Sequence, residues 1–208
     1  MYVTGGLLLS FAGGRYALGM IRADQAREAW DGAAAREAVV LARSVALHHG
    51  HREPVVDGAP VARLIIPSID LDDIVLEGVD GDDLNAGPGH FPGSAFPGEP
   101  GNAIISAHRD RHFNHLDALS VGDTIVTESG ALRDTWVVVS TRVIQKDDPA
   151  LFATKTPTLT LTTCWPIRYL GPAPDRLIVT AKPRGERVED RGQVAIRKAA
   201  IRSETGTN

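Results

Sequence analysis

Two regimes of hydrophobic patterning meet near residue 60 of the chain. Before that point apolar residues come in long stretches: Met1 to Gly14 holds no charged side chain, and the apolar run continues past Arg15 to Ile21. An unbroken apolar span of about 20 residues predicts a membrane-crossing helix. Arg15 interrupts this one, and Gly5, Gly6, Gly13 and Gly14 lower its helical propensity. No basic residue precedes Leu7 and no small-residue cleavage site stands at a polar boundary. A membrane anchor over residues 1–21 is therefore the expectation, ahead of a secretory-signal core or a plain apolar first helix. Its charge bias is reversed, since Arg15 and Arg22 follow the run and nothing basic leads it. Arg22 to His49 is Ala-rich, free of proline, and carries Arg27, Glu28, Arg36, Glu37 and Arg43 at helical intervals. This predicts a helical stalk or brace, with Trp30, Val40, Leu41 and Leu47 as its apolar side and Gly50 as its stop. Residues 53–60 read as a linker.

From Val61 onward the period changes. Short runs rich in Ile, Val and Thr alternate with Gly, Pro, Asp and Asn: residues 62–66, 74–76, 103–106, 124–127, 136–143, 158–163 and 177–181. Regularly spaced strands with turn signals between them predict an all-β sandwich or barrel. No helical pattern separates successive strands, which excludes a doubly wound parallel sheet. The organisation predicted is an anchor at 1–21, a stalk and linker at 22–59, a β domain at 60–182 and a polar tail at 183–208. Within that tail, residues 194–202 form a possible short helix.

Composition narrows the function. Twenty-two Lys and Arg against 26 Asp and Glu give a net charge of -4 over 208 residues, which argues against a nucleic-acid partner. One cysteine allows no internal disulfide, Cys-rich zinc site or iron–sulfur cluster, and no cofactor is expected. That cysteine, Cys164, ends the alternating run Thr158-Leu159-Thr160-Leu161-Thr162-Thr163, and Pro166 stops the strand just beyond it. A thiol at a strand end beside a loop is placed to meet a ligand; the competing reading is a small buried hydrophobe. Arg176 opens the strand Leu177-Ile178-Val179-Thr180-Ala181 after a loop holding Pro166, Gly171, Pro172 and Pro174. Antiparallel pairing across that loop would set Cys164 and Arg176 opposite each other. The arginine then orients a substrate or stabilises an oxyanion, or else it pairs with Asp175. His108 follows the strand Ala103-Ile104-Ile105-Ser106-Ala107, again at its end. A thiolate nucleophile needs such a partner to carry its proton. The rival constellation is His108, His112 and His115, whose spacings of four and three would line one helix face and hold zinc. The charged segment Arg109-Asp110-Arg111 favours a loop instead, so no metal site is predicted. His48, His49 and His51 are expected at a helix end facing solvent.

These residues resemble the sortase family. Thr160-Leu161-Thr162-Thr163-Cys164 is similar to the sortase Thr-Leu-x-Thr-Cys signature. Asn102 to Asp110 resembles the strand that delivers the sortase histidine, and Gly171 to Val179 the segment that carries its arginine, notably in class D enzymes. Gly87-Pro88-Gly89-His90-Phe91-Pro92-Gly93 with Pro100-Gly101-Asn102 matches the loop before the histidine strand. Ala107 stands where glycine is common, and Trp165 where an aromatic such as tyrosine is usual. The helical lead-in and the Cys-Trp-Pro run also resemble sortases of Gram-negative proteobacteria.

The resemblance implies a closed eight-stranded β-barrel and a membrane-bound cysteine transpeptidase acting on the extracytoplasmic side. Its partners would be a secreted protein bearing a C-terminal Leu-Pro-x-Thr-Gly-like sorting signal and an amine acceptor. It implies Cys164 as nucleophile, His108 as proton carrier and Arg176 as the oxyanion and substrate cation. His90 is then a loop wall. Two other readings stay open: a cysteine endopeptidase that releases the acyl group to water, and a non-catalytic β-barrel binding module.

Overall fold

The computed structural model describes residues 2–32, 55–130, 132–146, 154–169, 171–185 and 188–189. The chain opens with helix α1 (Tyr2–Asp31). Strands β1 (Pro60–Ile66) and β2 (Leu71–Glu77) follow, then a single helical turn, α2 (Asp83–Ala86), and the two-residue strand β3 (Gly89–His90). The remaining strands are β4 (Asn102–Ser106), β5 (Thr124–Ser129), β6 (Leu132–Gln145), β7 (Thr158–Trp165), β8 (Asp175–Pro183) and β9 (Val188–Glu189). All seven runs with strand periodicity form strands. β3 and β9 were not foreseen, being too short to show a period.

The strands join in the order β5-β1-β2-β3-β4-β7-β8-β6, and β5 also pairs with β6, so eight strands close a barrel to which β9 adds on β6. Closure leaves β5, an edge in an open sheet, hydrogen-bonded on both sides. Inside, alternate residues of each strand meet: Ala103, Ile105 and Ala107 from the β4 segment, Leu159 and Leu161 from β7, Leu177, Val179 and Ala181 from β8, with Phe113, Ile125 and Trp136. Trp136 is fully buried and satisfies its indole by donating to Thr127 Oγ1 at 2.8 Å. β3 owes its place to a glycine. A Cβ on Gly89 would stand 2.1 Å from the Gly78 carbonyl oxygen, so only glycine lets this strand lie against the chain leaving β2.

α1 departs most from expectation. One continuous helix runs through the predicted junction of anchor and stalk at residues 21 and 22. No helix among the described residues is long and apolar enough to cross a membrane, so the anchor expected over 1–21 is not confirmed. Its C-terminal half lies on the barrel instead. Ala26 and the fully buried Trp30 form a second small core with Ile74, Leu76 and Ala86. A buried Trp removes roughly 150–250 Å² from water, a gross gain of about 4–6 kcal/mol before ordering costs. Polar contacts extend the seam: Arg15 pairs with Asp82 at 2.5 Å, and Arg27 lies 3.8 Å from Asp73. Leu18, Met20 and Ile21 stay exposed on the outer side, and Tyr16 is exposed as well. The stalk beyond residue 32, the three histidines at 48–51 and the helix expected at 194–202 lie outside the described residues.

Candidate active site

The alternation that fills the barrel also decides what faces outward. Ala107 belongs to the core, as do Leu161 and Leu177; Cys164 and Arg176 have the opposite parity and so lie on the outer face of β7 and β8, and His108 stands two residues past the end of β4. β4, β7 and β8 are consecutive in the sheet, so the three side chains rise from adjacent strand ends. β7 and β8 are antiparallel, with Cys164 registered directly opposite Arg176 and Trp165 opposite Asp175. Directly opposed residues have Cβ atoms roughly 4.5–5.5 Å apart. The pairing across the Pro-rich loop is the one its spacing anticipates.

β4 runs parallel to β7 with Ser106 opposite Thr162, and the ladder carries on past the end of β4. Ala107 N–H donates to the Thr162 carbonyl at 3.2 Å, and Thr163 Oγ1 donates to the Ala107 carbonyl at 2.7 Å. These two bonds hold the residue before the histidine and the residue before the cysteine together. Cys164 is free and partly exposed. Arg176 makes no ion pair with the Asp175 carboxylate; its Nη1 donates to the Asp175 backbone carbonyl at 2.9 Å.

His108 is half-buried, and that burial pushes its pKa below the ordinary histidine value. The Asp110 carboxylate and a hydrogen bond with the Gly81 backbone pull it upward, while Arg111 and His112 add to the lowering. A cavity of about 220 Å³ adjoins it, lined by Arg15, Tyr16, Asn85, His108, Asp110 and Arg111, so α1 closes one side of the histidine's surroundings. Arg111 stacks over the Tyr16 ring at 4.3 Å and donates to the Asn85 carbonyl.

The alternative histidine constellation does not assemble. His112 Nδ1 lies 2.9 Å from Asp73 Oδ2, and residues 109–115 form turns rather than a helix. No group of three or more His, Cys, Asp or Glu among the described residues is placed to hold a metal. His90 is also not a loop wall. It sits in β3, fully buried, with Nδ1 2.7 Å from Glu77 Oε2, Nε2 2.9 Å from the Ala95 carbonyl, and its ring stacked on Phe96.

A family model described as Sortase domain matches residues 64–184. The chain belongs to the sortase family. Sortase D of Bacillus subtilis (strain 168) is 36% identical over 121 residues, covering 57% of this chain and 61% of that protein. This sortase thus spans about three fifths of that relative's length. Among solved structures, the catalytic domain of B. anthracis SrtD is 33% identical with a TM-score of 0.55, over 66% of this chain and 96% of that one. A Clostridium perfringens Sortase D5 transpeptidase superposes with a TM-score of 0.64 over 81% of this chain and 99% of that one; at 24% identity this likeness speaks for the fold.

Within this sortase fold, sequence reasoning missed one residue at the site. Arg109 was grouped with a charged loop, yet its guanidinium reaches the connection between β7 and β8, donating to the Pro166, Tyr169 and Gly171 carbonyls. The available signal was the Pro- and Gly-rich segment after Cys164, whose carbonyls lack strand partners and call for donors from elsewhere.

Proposed function

We propose that this sortase is a cysteine transpeptidase whose catalytic unit is residues 60–182, with Cys164, His108 and Arg176 as its working groups. The observation that supports the reading is that all three stand at or just past the adjacent ends of β4, β7 and β8, with Cys164 opposite Arg176. Acyl transfer through a thioester needs a thiol, a proton carrier and a fixed cation at the developing oxyanion, and this rim offers all three.

In the first half-reaction the Cys164 thiol passes its proton to His108, and Sγ attacks the carbonyl carbon of the Thr–Gly or Thr–Ala bond in a Leu-Pro-x-Thr-Gly-like sorting signal. Arg176 stabilises the resulting oxyanion with a donor fork that a point cation lacks. His108 gives its proton to the leaving amine as the C–N bond breaks, and the acyl group remains as a thioester. In the second half-reaction the incoming amine loses a proton to His108 and attacks the thioester; the C–S bond breaks, and the Cys164 thiolate takes that proton back from His108. Likeness to Sortase D favours a class D-like substrate range. Family membership favours action at the outer side of the cytoplasmic membrane on a secreted protein, with residues 183–208 as a polar extension.

The test is intact mass after mixing with a pooled peptide library of Leu-Pro-x-Thr-Gly and Leu-Pro-x-Thr-Ala sequences, beside Cys164→Ala. A hydroxylamine-labile adduct on the wild type alone establishes the thioester. Transfer of that acyl group to added glycine peptides distinguishes a transpeptidase from an endopeptidase, which yields only the free acid. No adduct from any peptide in the pool turns the reading toward a binding module.

A further inference from the structure

The residue beside the candidate proton carrier spans the site. Arg109 follows His108 directly, and its side chain leaves the end of β4 for the turn between β7 and β8. Nη1 donates to the Pro166 carbonyl at 3.1 Å; Nη2 donates to the Tyr169 and Gly171 carbonyls at 2.9 and 2.8 Å. The Tyr169 ring lies under the same guanidinium, 5.7 Å from Cζ. The chain enters this turn just past Cys164 and leaves it at Asp175, next to Arg176. One guanidinium therefore links the backbone segments that carry His108, Cys164 and Arg176.

The chemistry fits arginine specifically. Three carbonyl dipoles aimed at one point repel each other unless a cation with several donors sits between them. A guanidinium offers five N–H groups in a fixed plane, whereas an ammonium is a compact point charge on a freely turning stem. Among the described residues no carboxylate lies within ion-pair distance of Arg109, so the carbonyls are the partners its charge meets.

We propose that Arg109 is a positioning residue of the acyl-donor site, clasping the turn after Cys164 to the strand end that bears His108 and so fixing one wall of the groove between Cys164 and Arg176. The words acyl-donor rest on the function proposed above; the clasp does not.

The test uses the full chain with Arg109→Gln and Arg109→Lys, and has two arms. In the first, amide hydrogen exchange is followed in the protein alone. Amides between Ile167 and Ala173 should exchange on the order of tenfold faster in both variants, with β4 and β7 unchanged as a control for folding. In the second, acylation is measured with the most reactive Leu-Pro-x-Thr-Gly or Leu-Pro-x-Thr-Ala peptide of the pool. KM should rise about tenfold while kcat stays within about threefold, because the wall holds substrate and leaves the reacting groups in place. Unchanged exchange overturns the clasp. Faster exchange with an unchanged KM overturns the positioning role, and full recovery by lysine overturns the argument from the fork. A wild type that no peptide acylates overturns the proposed function instead, and the exchange arm still decides Arg109.

Discussion

Cys164 and Arg176 are ladder partners, held opposite each other by the antiparallel register of β7 and β8. Their separation is therefore a property of the barrel rather than of a mobile loop. Placement on rigid strands suits the oxyanion role proposed for Arg176, which calls for a cation that does not reorganise during reaction. Removing it should act on the chemical step. Arg176→Gln is expected to lower kcat for thioester formation by about 100- to 1,000-fold, the range seen when one oxyanion donor is lost. Arg176→Lys should fall between the two, since it keeps the charge and loses the fork. Rapid-quench intact mass measures this, and rates within about threefold of wild type for both variants would sink the assignment.

His108 links burial to pH. In the unfolded chain it takes a proton near the ordinary histidine value of about 6.5, whereas in the fold burial holds its pKa lower. Between those two values the unfolded state binds more protons, so the stability from keeping His108 neutral is present above about pH 6.5 and is lost as pH falls. Urea midpoints of wild type and His108→Gln, compared at about pH 8 and about pH 5, should show the larger acid loss in wild type. Equal losses would contradict it. Asp110 opposes the shift, so Asp110→Asn should move the imidazole titration followed by NMR to still lower pH.

The barrel was legible because its strands are long enough to show a period: Thr158 to Thr163 alternates Thr and Leu, and the Leu positions turn inward. The three candidate residues stand out in the sequence because each sits at or next to the end of such a run. What escaped notice were contacts between segments distant in sequence. Arg109 meets Pro166 across 57 positions, and nothing local distinguishes it from a solvated arginine. α1 was opaque for another reason. Its packed face is Gly19, Ala26 and Trp30, and the small residues there carry no hydrophobic signal, while the strong apolar signal comes from Leu18, Met20 and Ile21, which are exposed.

Gly19 tests that packing directly. A Cβ at this position would lie 2.5 Å from the Asn85 carbonyl oxygen and 2.9 Å from Arg111 Nη1. Gly19→Ala improves helix propensity, so on an isolated helix it would stabilise. Here the collision with backbone dominates, and the helix must lift from α2. The expected outcome is a loss of about 1–3 kcal/mol. Faster amide exchange in α1 should accompany it, with the barrel strands unchanged. Lifting the helix also opens the cavity lined by Tyr16 and His108, so His108 should titrate nearer its ordinary value in the variant. An equally protected helix in Gly19→Ala would refute the close approach.

The Glu77 and His90 pair gives a prediction with an internal ranking. Both side chains are buried, and His90 Nε2 lies 2.9 Å from both the Ala95 carbonyl oxygen and Ser94 Oγ. Nδ1 faces Glu77 Oε2 at 2.7 Å. Glu77→Ala removes that partner and leaves a buried nitrogen unmatched, at a cost of about 3–5 kcal/mol. Glu77→Gln should cost markedly less, because its amide can either donate to Nδ1 or accept from it and so keeps that nitrogen hydrogen-bonded. The consequence reaches the site through β3, which pairs with β4 at Gly89–Ser106 and His90–Ile105. Losing His90's anchorage loosens the strand that delivers His108, so Glu77→Ala should slow thioester formation and Glu77→Gln should preserve it. Urea unfolding and acylation rates measured on the same preparations check both orders. If glutamine proves as damaging as alanine, the buried pair works as an ion pair and not as a hydrogen-bond relay.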